Sequence, residues 1–299
     1  MTITRSDRRR FTSLIGSSLN LDEVARAAGD ILPVSSVVMR LTQTLARNDW
    51  TPTEVADIVR VDPALTARLL KVANSAHYAP RKEIATVGDA LMRIGPGVAV
   101  ALAVSDSVRG PFHDELPMFG LKSGDLWRHA VAAALSTEES SAACGKPAPA
   151  EAYAAALLHD VGMIVLSRMI DGDTIERLVE RAGVLGIGPQ DARTVVFDVC
   201  HAELGGRLVR QWGLPQIISE AIRHHHAPLM AGDPKTRRLC LQLQLGDTVA
   251  ELAGAGCDES KPPSFNAALA GSLQISQQSF DDLVERVSER LDDVLELYS

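Results

Sequence analysis

Leu157-Leu158-His159-Asp160-Val161-Gly162 sets two strongly polar side chains inside an apolar run that extends from Tyr153 through Ala154, Ala155 and Ala156 to Ile164, Val165 and Leu166. A helix that is apolar on all sides is buried. A carboxylate taken into such an interior without a partner is strongly destabilising or stays protonated. His159 and Asp160 therefore need partners. Two answers are open at this point: a hydrogen-bonded His-Asp pair that fixes helix packing, or a metal ion.

The surroundings favour helices. Of 299 residues, 46% are apolar and only 4% aromatic, with Ala, Leu and Val prominent. That composition can fill a core and suits packed helices better than sheets. The formal net charge of -8 argues against nucleic acid as a main partner, because phosphate binding needs clustered Lys and Arg. The one basic cluster, Arg5, Arg8, Arg9 and Arg10, lies in the N-terminal tail and reads as a solvated terminus. The tail lacks the apolar core of a signal peptide, and no run of 18 or more apolar residues is uninterrupted. A soluble, cytoplasmic protein without a membrane segment is expected. Cys144, Cys200, Cys240 and Cys257 are widely spaced and form no Cys-x-x-Cys pair, so neither a zinc knuckle nor a redox dithiol is indicated.

Upstream of the central stretch, helix starts are well marked. Thr51 with Pro52 and Glu54 has the pattern of a capping box with proline at the first helical position. Asp62-Pro63 and Thr86-x-x-Asp89 repeat the signal, and Gly95-Pro96 ends a segment. Leu32-Pro33 interrupts the helical pattern of residues 22–45. Residues 110–124 read as a connection because they contain Pro111, Pro117, Gly120 and Gly124. The next helix, from Asp125 and His129 through Leu135, ends before Gly145-Lys146-Pro147, after which the helix bearing His159 begins at once. So short a link makes the two helices antiparallel neighbours, and His129 can face His159 across the hairpin.

Downstream, residues 171–194 read as peripheral around one amphipathic piece, Ile175 to Ala182. A helix opens at Phe197-Asp198-Val199-Cys200-His201-Ala202-Glu203-Leu204-Gly205, and a later one ends in His224-His225-His226. Leu241, Leu245, Val249 and Leu252 give a helical stripe on a segment that carries Asp247. Ser279-x-x-Asp282 marks the start of a last helix with an apolar stripe from Phe280 to Tyr298, which docks on the body or on a second subunit. The expected fold is all-α: a tail over 1–20, an N-terminal helical subdomain over 21–118, a second helical subdomain over 119–258 and a C-terminal amphipathic helix over 264–299.

Leu32-Pro33-Val34, Asp62-Pro63-Ala64-Leu65, Leu69-Leu70-Lys71-Val72-Ala73-Asn74-Ser75-Ala76, Ala90 and Gly95 resemble the front half of the bacterial HDOD domain, a helical signalling module related to HD-type phosphohydrolases. The His-Ala-Glu-x-Gly start at His201 and the terminal His-His at residues 225–226 resemble it too. This resemblance implies that the N-terminal bundle packs on an HD-like bundle. It further implies that His129, His159, Asp160 and Asp247 would hold one ion. Asp160 would bridge to a second ion held by His201, His225 and His226. Asp125 falls where the related HD-GYP phosphodiesterases put an acidic ligand. These nitrogen and oxygen donors, without thiolate, suit iron, manganese or magnesium, as one or two ions, better than structural zinc.

The substrate-handling groups depart from the enzymes. HD-GYP proteins place a lysine three residues after the aspartate, where this chain has Met163, and follow their paired histidines with glutamate and Gly-Tyr-Pro, where this chain has Ala227-Pro228. The resemblance therefore implies a regulatory, non-catalytic module that engages other signalling proteins. The alternative is a metal-dependent phosphohydrolase acting on a nucleotide or cyclic dinucleotide. His77 and His113 read as ordinary surface or packing residues.

Overall fold

Helices begin where a side chain can satisfy the free backbone N–H groups of a first turn. The computed structural model describes residues 13, 15 and 19–298, apart from 33–34, 46, 48, 76–77, 79, 81, 146–147, 150, 184–188 and 257–266. The tail arginines, Pro33, His77, Lys146-Pro147 and Cys257 lie outside the described residues. Among those residues every regular element is helical, apart from an isolated bridge between Leu116 and Leu121.

The N-terminal part comprises α1 (Leu21–Ile31), α2 (Ser36–Leu45), α3 (Pro52–Arg60), α4 (Pro63–Ala73), α5 (Val87–Ile94) and α6 (Pro96–Phe112). Thr51 Oγ1 accepts from Glu54 N at 3.3 Å while Glu54 Oε2 accepts from Thr51 N at 2.9 Å, a complete capping box for α3. Asp62 Oδ1 accepts from Ala64 N and Leu65 N at the start of α4. Thr86 caps α5, which ends at Gly95. Asn74 finishes α4 by bridging to the chain beyond it: its Nδ2 donates to Leu70 O and Ile84 O, and its Oδ1 accepts from Ile84 N at 2.7 Å.

The second part comprises α7 (Asp125–Cys144), α8 (Ala152–Leu158), α9 (Val161–Met169), α10 (Gly172–Gly183), α11 (Pro189–Gln211), α12 (Gln216–His224), α13 (Pro234–Ala250), α14 (Ala267–Leu273) and α15 (Gln277–Tyr298). α7, α8, α11, α12 and α13 pack around one another, and α15 lies along α7. The last helix thus covers its apolar face, Phe280, Leu283, Val287, Leu291 and Val294, on its own chain. Arg286 and Arg290 pair with Glu139, and Arg128 with Asp292. At the junction with the N-terminal part, Trp212 Nε1 donates to Leu32 O at 2.9 Å, joining the ends of α11 and α1.

Four local expectations need correction. α6 runs through Gly110-Pro111 to Phe112; the proline removes one i→i−4 hydrogen bond, but so near the helix end it disrupts no further turn. α11 starts at Pro189, well before Phe197, because Ala192, Val195 and Val196 continue the buried face of Val199 and Cys200, and proline suits a first helical position. Ser276, not Ser279, caps α15: Ser276 Oγ accepts from Ser279 N at 3.1 Å, while Asp282 accepts from Gln278. His159 and Asp160 occupy a break between α8 and α9 rather than a continuous helix. The stretch 152–169 is long and apolar enough by itself to cross a membrane, yet 83% of it is buried inside the protein.

Two glycines set how closely helices cross. A Cβ on Gly162 would stand 1.8 Å from His201 O and 2.7 Å from Gly205 N, so α9 meets the backbone of α11 directly. A Cβ on Gly246 would lie 2.7 Å from Ala133 O, which holds α13 equally close to α7. Overpacking typically costs about 1–3 kcal/mol, and at Gly162 the obstacle is backbone that cannot rotate away. Gly162→Ala is expected to lower the thermal midpoint by several degrees, measured by circular dichroism. An unchanged midpoint would show that the two helices separate freely.

Candidate metal centre

Asp160 is the first residue before α9, where a carboxylate ordinarily caps, yet its side chain makes no capping bond. Both oxygens are instead turned to histidines. Oδ2 lies 3.2 Å from His159 Nε2 and 3.5 Å from His129 Nε2. Oδ1 lies 3.4 Å from His201 Nε2 and 3.9 Å from His225 Nε2. Asp247, on α13, approaches the first pair: its Oδ1 is 3.3 Å from His129 Nε2 and 4.0 Å from His159 Nε2. His226, just past α12, joins the second pair, with its Nε2 3.0 Å from His201 Nε2. Ligating atoms of His129, His159 and Asp247 fall within 4.8 Å of one another, as do those of His201, His225 and His226, and those of His159, Asp160 and His225.

The ring orientations are fixed from behind. His159 Nδ1 meets Ala156 O at 2.7 Å, His201 Nδ1 meets Phe197 O at 2.7 Å, and His225 Nδ1 meets Ile222 O at 2.6 Å. His129 Nδ1 meets Ala255 O at 2.8 Å, in the turn Glu251–Ala255 that follows α13. A carbonyl can only accept, so each Nδ1 carries the proton and the Nε2 of each neutral ring carries a lone pair. These lone pairs converge: His129 and His159 Nε2 are 3.3 Å apart, and so are His201 and His225 Nε2. Two facing acceptors at that distance require a proton or a cation between them.

The charges follow the same geometry. Burial opposes ionisation of Asp160, but His159, His201 and His129 overcome it and hold the carboxyl well below the usual range. Asp247 is lowered likewise, against burial, by His129 and His159. For His159 burial disfavours the charge, and the Asp160 carboxylate outweighs it, so its pKa is raised. Burial, with the neighbouring His226, His159 and His201, pushes His225 well down. Exposure marks the open side: the side chains of Asp247 and His226 are 20% and 24% exposed, against 1% for His129 and His225.

The structure thus brings together His129, His159, Asp160, His201, His225, His226 and Asp247. It does not bring in Asp125, whose Oδ2 accepts from Lys122 N at 2.8 Å in its own turn. His224 points elsewhere, with its Nε2 3.4 Å from Glu220, and the ring of His113 lies against Trp127. Burial pushes the Cys200 and Cys240 thiols up to about 12, so neither is a ready thiolate.

Three contributors were not singled out from the sequence. Asp198 Oδ1 lies 4.0 Å from His226 Nε2; its position three residues before His201, hence on the same helical face, was the available signal. Glu203 is buried and pairs with Arg223 of α12 at 3.0 Å and with Arg207 at 3.4 Å, tying the helix of His201 to the helix that leads into His225 and His226. The Ala255 carbonyl belongs to a residue type that carries no signal at all.

In metal-free protein the histidines should titrate apart, His159 above and His225 below the ordinary value of about 6.5. The His159 contribution to stability is present below the unfolded pKa and is lost as pH rises through the folded value. That of His225 is present above the unfolded pKa and is lost as pH falls through the folded value. Proton NMR titration of the imidazole Cε1–H signals, with Asp160→Asn as the comparison, reads this order. His159 should fall back in the variant, and identical titrations in both proteins would refute the assigned coupling.

Residues 31–228 match the family model of the HDOD domain. Over 214 residues the chain is 25% identical to an uncharacterized protein of Treponema pallidum (strain Nichols), an alignment that takes in 68% of this chain and spans 39% of that relative's length. Among solved structures, a candidate signal transduction protein from Marinobacter aquaeolei VT8 superposes with a TM-score of 0.66 at 18% identity, covering 99% of this chain and 67% of that one. A candidate phosphohydrolase from Shewanella amazonensis SB2B superposes with a TM-score of 0.59 at 20% identity, covering 92% of this chain and 97% of that one. At these identities the likeness is one of fold. With the family model spanning most of an all-α chain, the protein belongs to the HDOD domain family.

Proposed function

We propose that this HDOD protein is a regulatory module whose His/Asp centre holds one or two divalent ions and which acts through contacts with other signalling proteins. The observation that carries the metal is the convergence of four Nε2 lone pairs on Asp160, with each Nδ1 donated to a backbone carbonyl. Ligating histidines are oriented in this way by outer hydrogen bonds. His129, His159 and Asp247 with Asp160 Oδ2 would hold one ion; His201, His225 and His226 with Asp160 Oδ1 would hold the other. The donor set is nitrogen and oxygen only, which fits iron, manganese or magnesium. Asp160 carries its negative charge in a buried position and Asp247 adds a second at the open side, and a dication would offset them.

The regulatory assignment rests on what surrounds the donors. Met163, buried on α9, stands where HD-GYP enzymes carry lysine, and among the described residues the ion pairs of Asp160 and Asp247 involve only histidines. A bound divalent ion supplies Lewis acidity and a water of lowered pKa, but phosphoryl transfer also needs cationic groups on the phosphate. The second reading, a metal-dependent phosphohydrolase acting on a nucleotide or cyclic dinucleotide, is favoured by the completeness of the donor set. The Marinobacter and Shewanella neighbours carry names from one reading each.

Elemental analysis of protein purified without chelator should find one or two equivalents of iron or manganese, strongly reduced in Asp160→Ala. Assays with manganese or ferrous iron on nucleotides and cyclic dinucleotides should give no robust turnover. Turnover that disappears in Asp160→Ala would establish the hydrolase instead. Metal-free protein, with Asp160→Ala as stable as the wild type, would sink the centre altogether.

A further inference from the structure

We infer that Asp198 is a ligand of the second ion, the carboxylate that closes the three-histidine half of the centre on its open side. The inference rests on the two-ion reading above. The two halves are unequal as they stand. The half built on His129 and His159 has a carboxylate of its own, Asp247, besides its share of Asp160. The half built on His201, His225 and His226 has three imidazoles and only the other oxygen of Asp160. A dication there would face little compensating charge, whereas iron and manganese favour carboxylate oxygen alongside imidazole.

Asp198 is placed to supply it. It lies on α11 three residues before His201, on the face that carries that imidazole into the centre. Its Oδ1 comes within 4.0 Å of His226 Nε2, the atom that also faces His201 Nε2 at 3.0 Å. The carboxylate is therefore beside the His226 nitrogen that faces His201. Donors about 2.1 Å from a shared ion are separated by roughly 3 to 4 Å, so the spacing fits common ligation. Asp198 and His226 are 17% and 24% exposed, which puts this ligand at the mouth of the centre. Asp247, likewise partly exposed, stands 3.3 Å from His129 in the first half; Asp198, at 4.0 Å from His226, would move closer as an ion binds.

Calorimetric titration of the metal-stripped full-length chain with manganese chloride tests the assignment, using the wild type, Asp198→Ala and the nearly isosteric Asp198→Asn. The wild type should show two binding steps. In both variants one step should keep its affinity and the other should weaken by at least about tenfold, with melting of the stripped proteins unchanged. Asp247→Asn should show the reverse pattern, weakening the step that the Asp198 variants leave intact. Two unaltered steps in both Asp198 variants would overturn the assignment, as would equal weakening of both steps or a single wild-type step that neither variant affects. A wild-type chain that takes up no manganese, iron or cobalt would overturn the metal reading itself, an outcome separate from the others.

Discussion

The Asp160 carboxylate is held beneath four imidazoles, with one oxygen facing His159 and His129 and the other facing His201 and His225. Both oxygens are committed to histidines, neither caps the helix that follows, and the helical pattern is interrupted at His159 and Asp160 between α8 and α9. One residue thus serves both halves of the centre. The elements that contribute to it, α7, the turn at His159, α11, the residues after α12, and α13, are the same ones that pack around the core of the second part. Interior packing and the polar centre therefore impose one arrangement on these helices.

Close helix approach is what makes the arrangement attainable. Gly162 admits the His201 carbonyl to within the volume of a methyl group, and Gly246 does the same for the Ala133 carbonyl. Each glycine lies within two residues of a carboxylate of the centre, Asp160 or Asp247. Glu203 adds an electrostatic tie between α11 and α12 through Arg223. A buried pair of this kind contributes more to geometry than to net stability. Together they place imidazole nitrogens from four separate segments 3.0 to 3.3 Å from a neighbouring ring's nitrogen, a precision that local propensity alone does not supply.

Much of this was legible in the residues. Thr51, Asp62 and Thr86 act as the caps that their side chains and spacing indicate, because capping is a bond within three residues. His159 and Asp160 could be nominated because a buried polar side chain in an apolar run demands a partner, and His129 because a short link sets it across the hairpin; His201, His225, His226 and Asp247 followed from the resemblance to the HDOD and wider HD families. Less legible were segments whose local signals conflict with packing. Gly110-Pro111 looks like a break and lies in a helix's last turn, and the stretch before Phe197 looks peripheral although Ala192, Val195 and Val196 are buried. Asp125 and His224 have the right residue type, yet their side chains are bound by Lys122 and Glu220.

By itself, the sequence determined the all-helical class, the positions of most helix starts and the identity of most polar groups that must meet inside. The class and the starts follow from composition, periodicity and capping, and the demand of His159 and Asp160 for partners from the energetics of burying charge, all of which are local or compositional; the rest of the polar set came through resemblance to a known family. Only the tertiary structure decided which nitrogen of each ring faces inward. Three of the orienting carbonyls lie three or four residues before their histidine, but the carbonyl that orients His129 belongs to Ala255, separated from it by 126 residues. It also decided that Asp198 stands beside the centre while Asp125 does not. The physical reason is that direction in space, unlike residue type, is set by which helices can approach, and that depends on glycines and carbonyls far away along the chain.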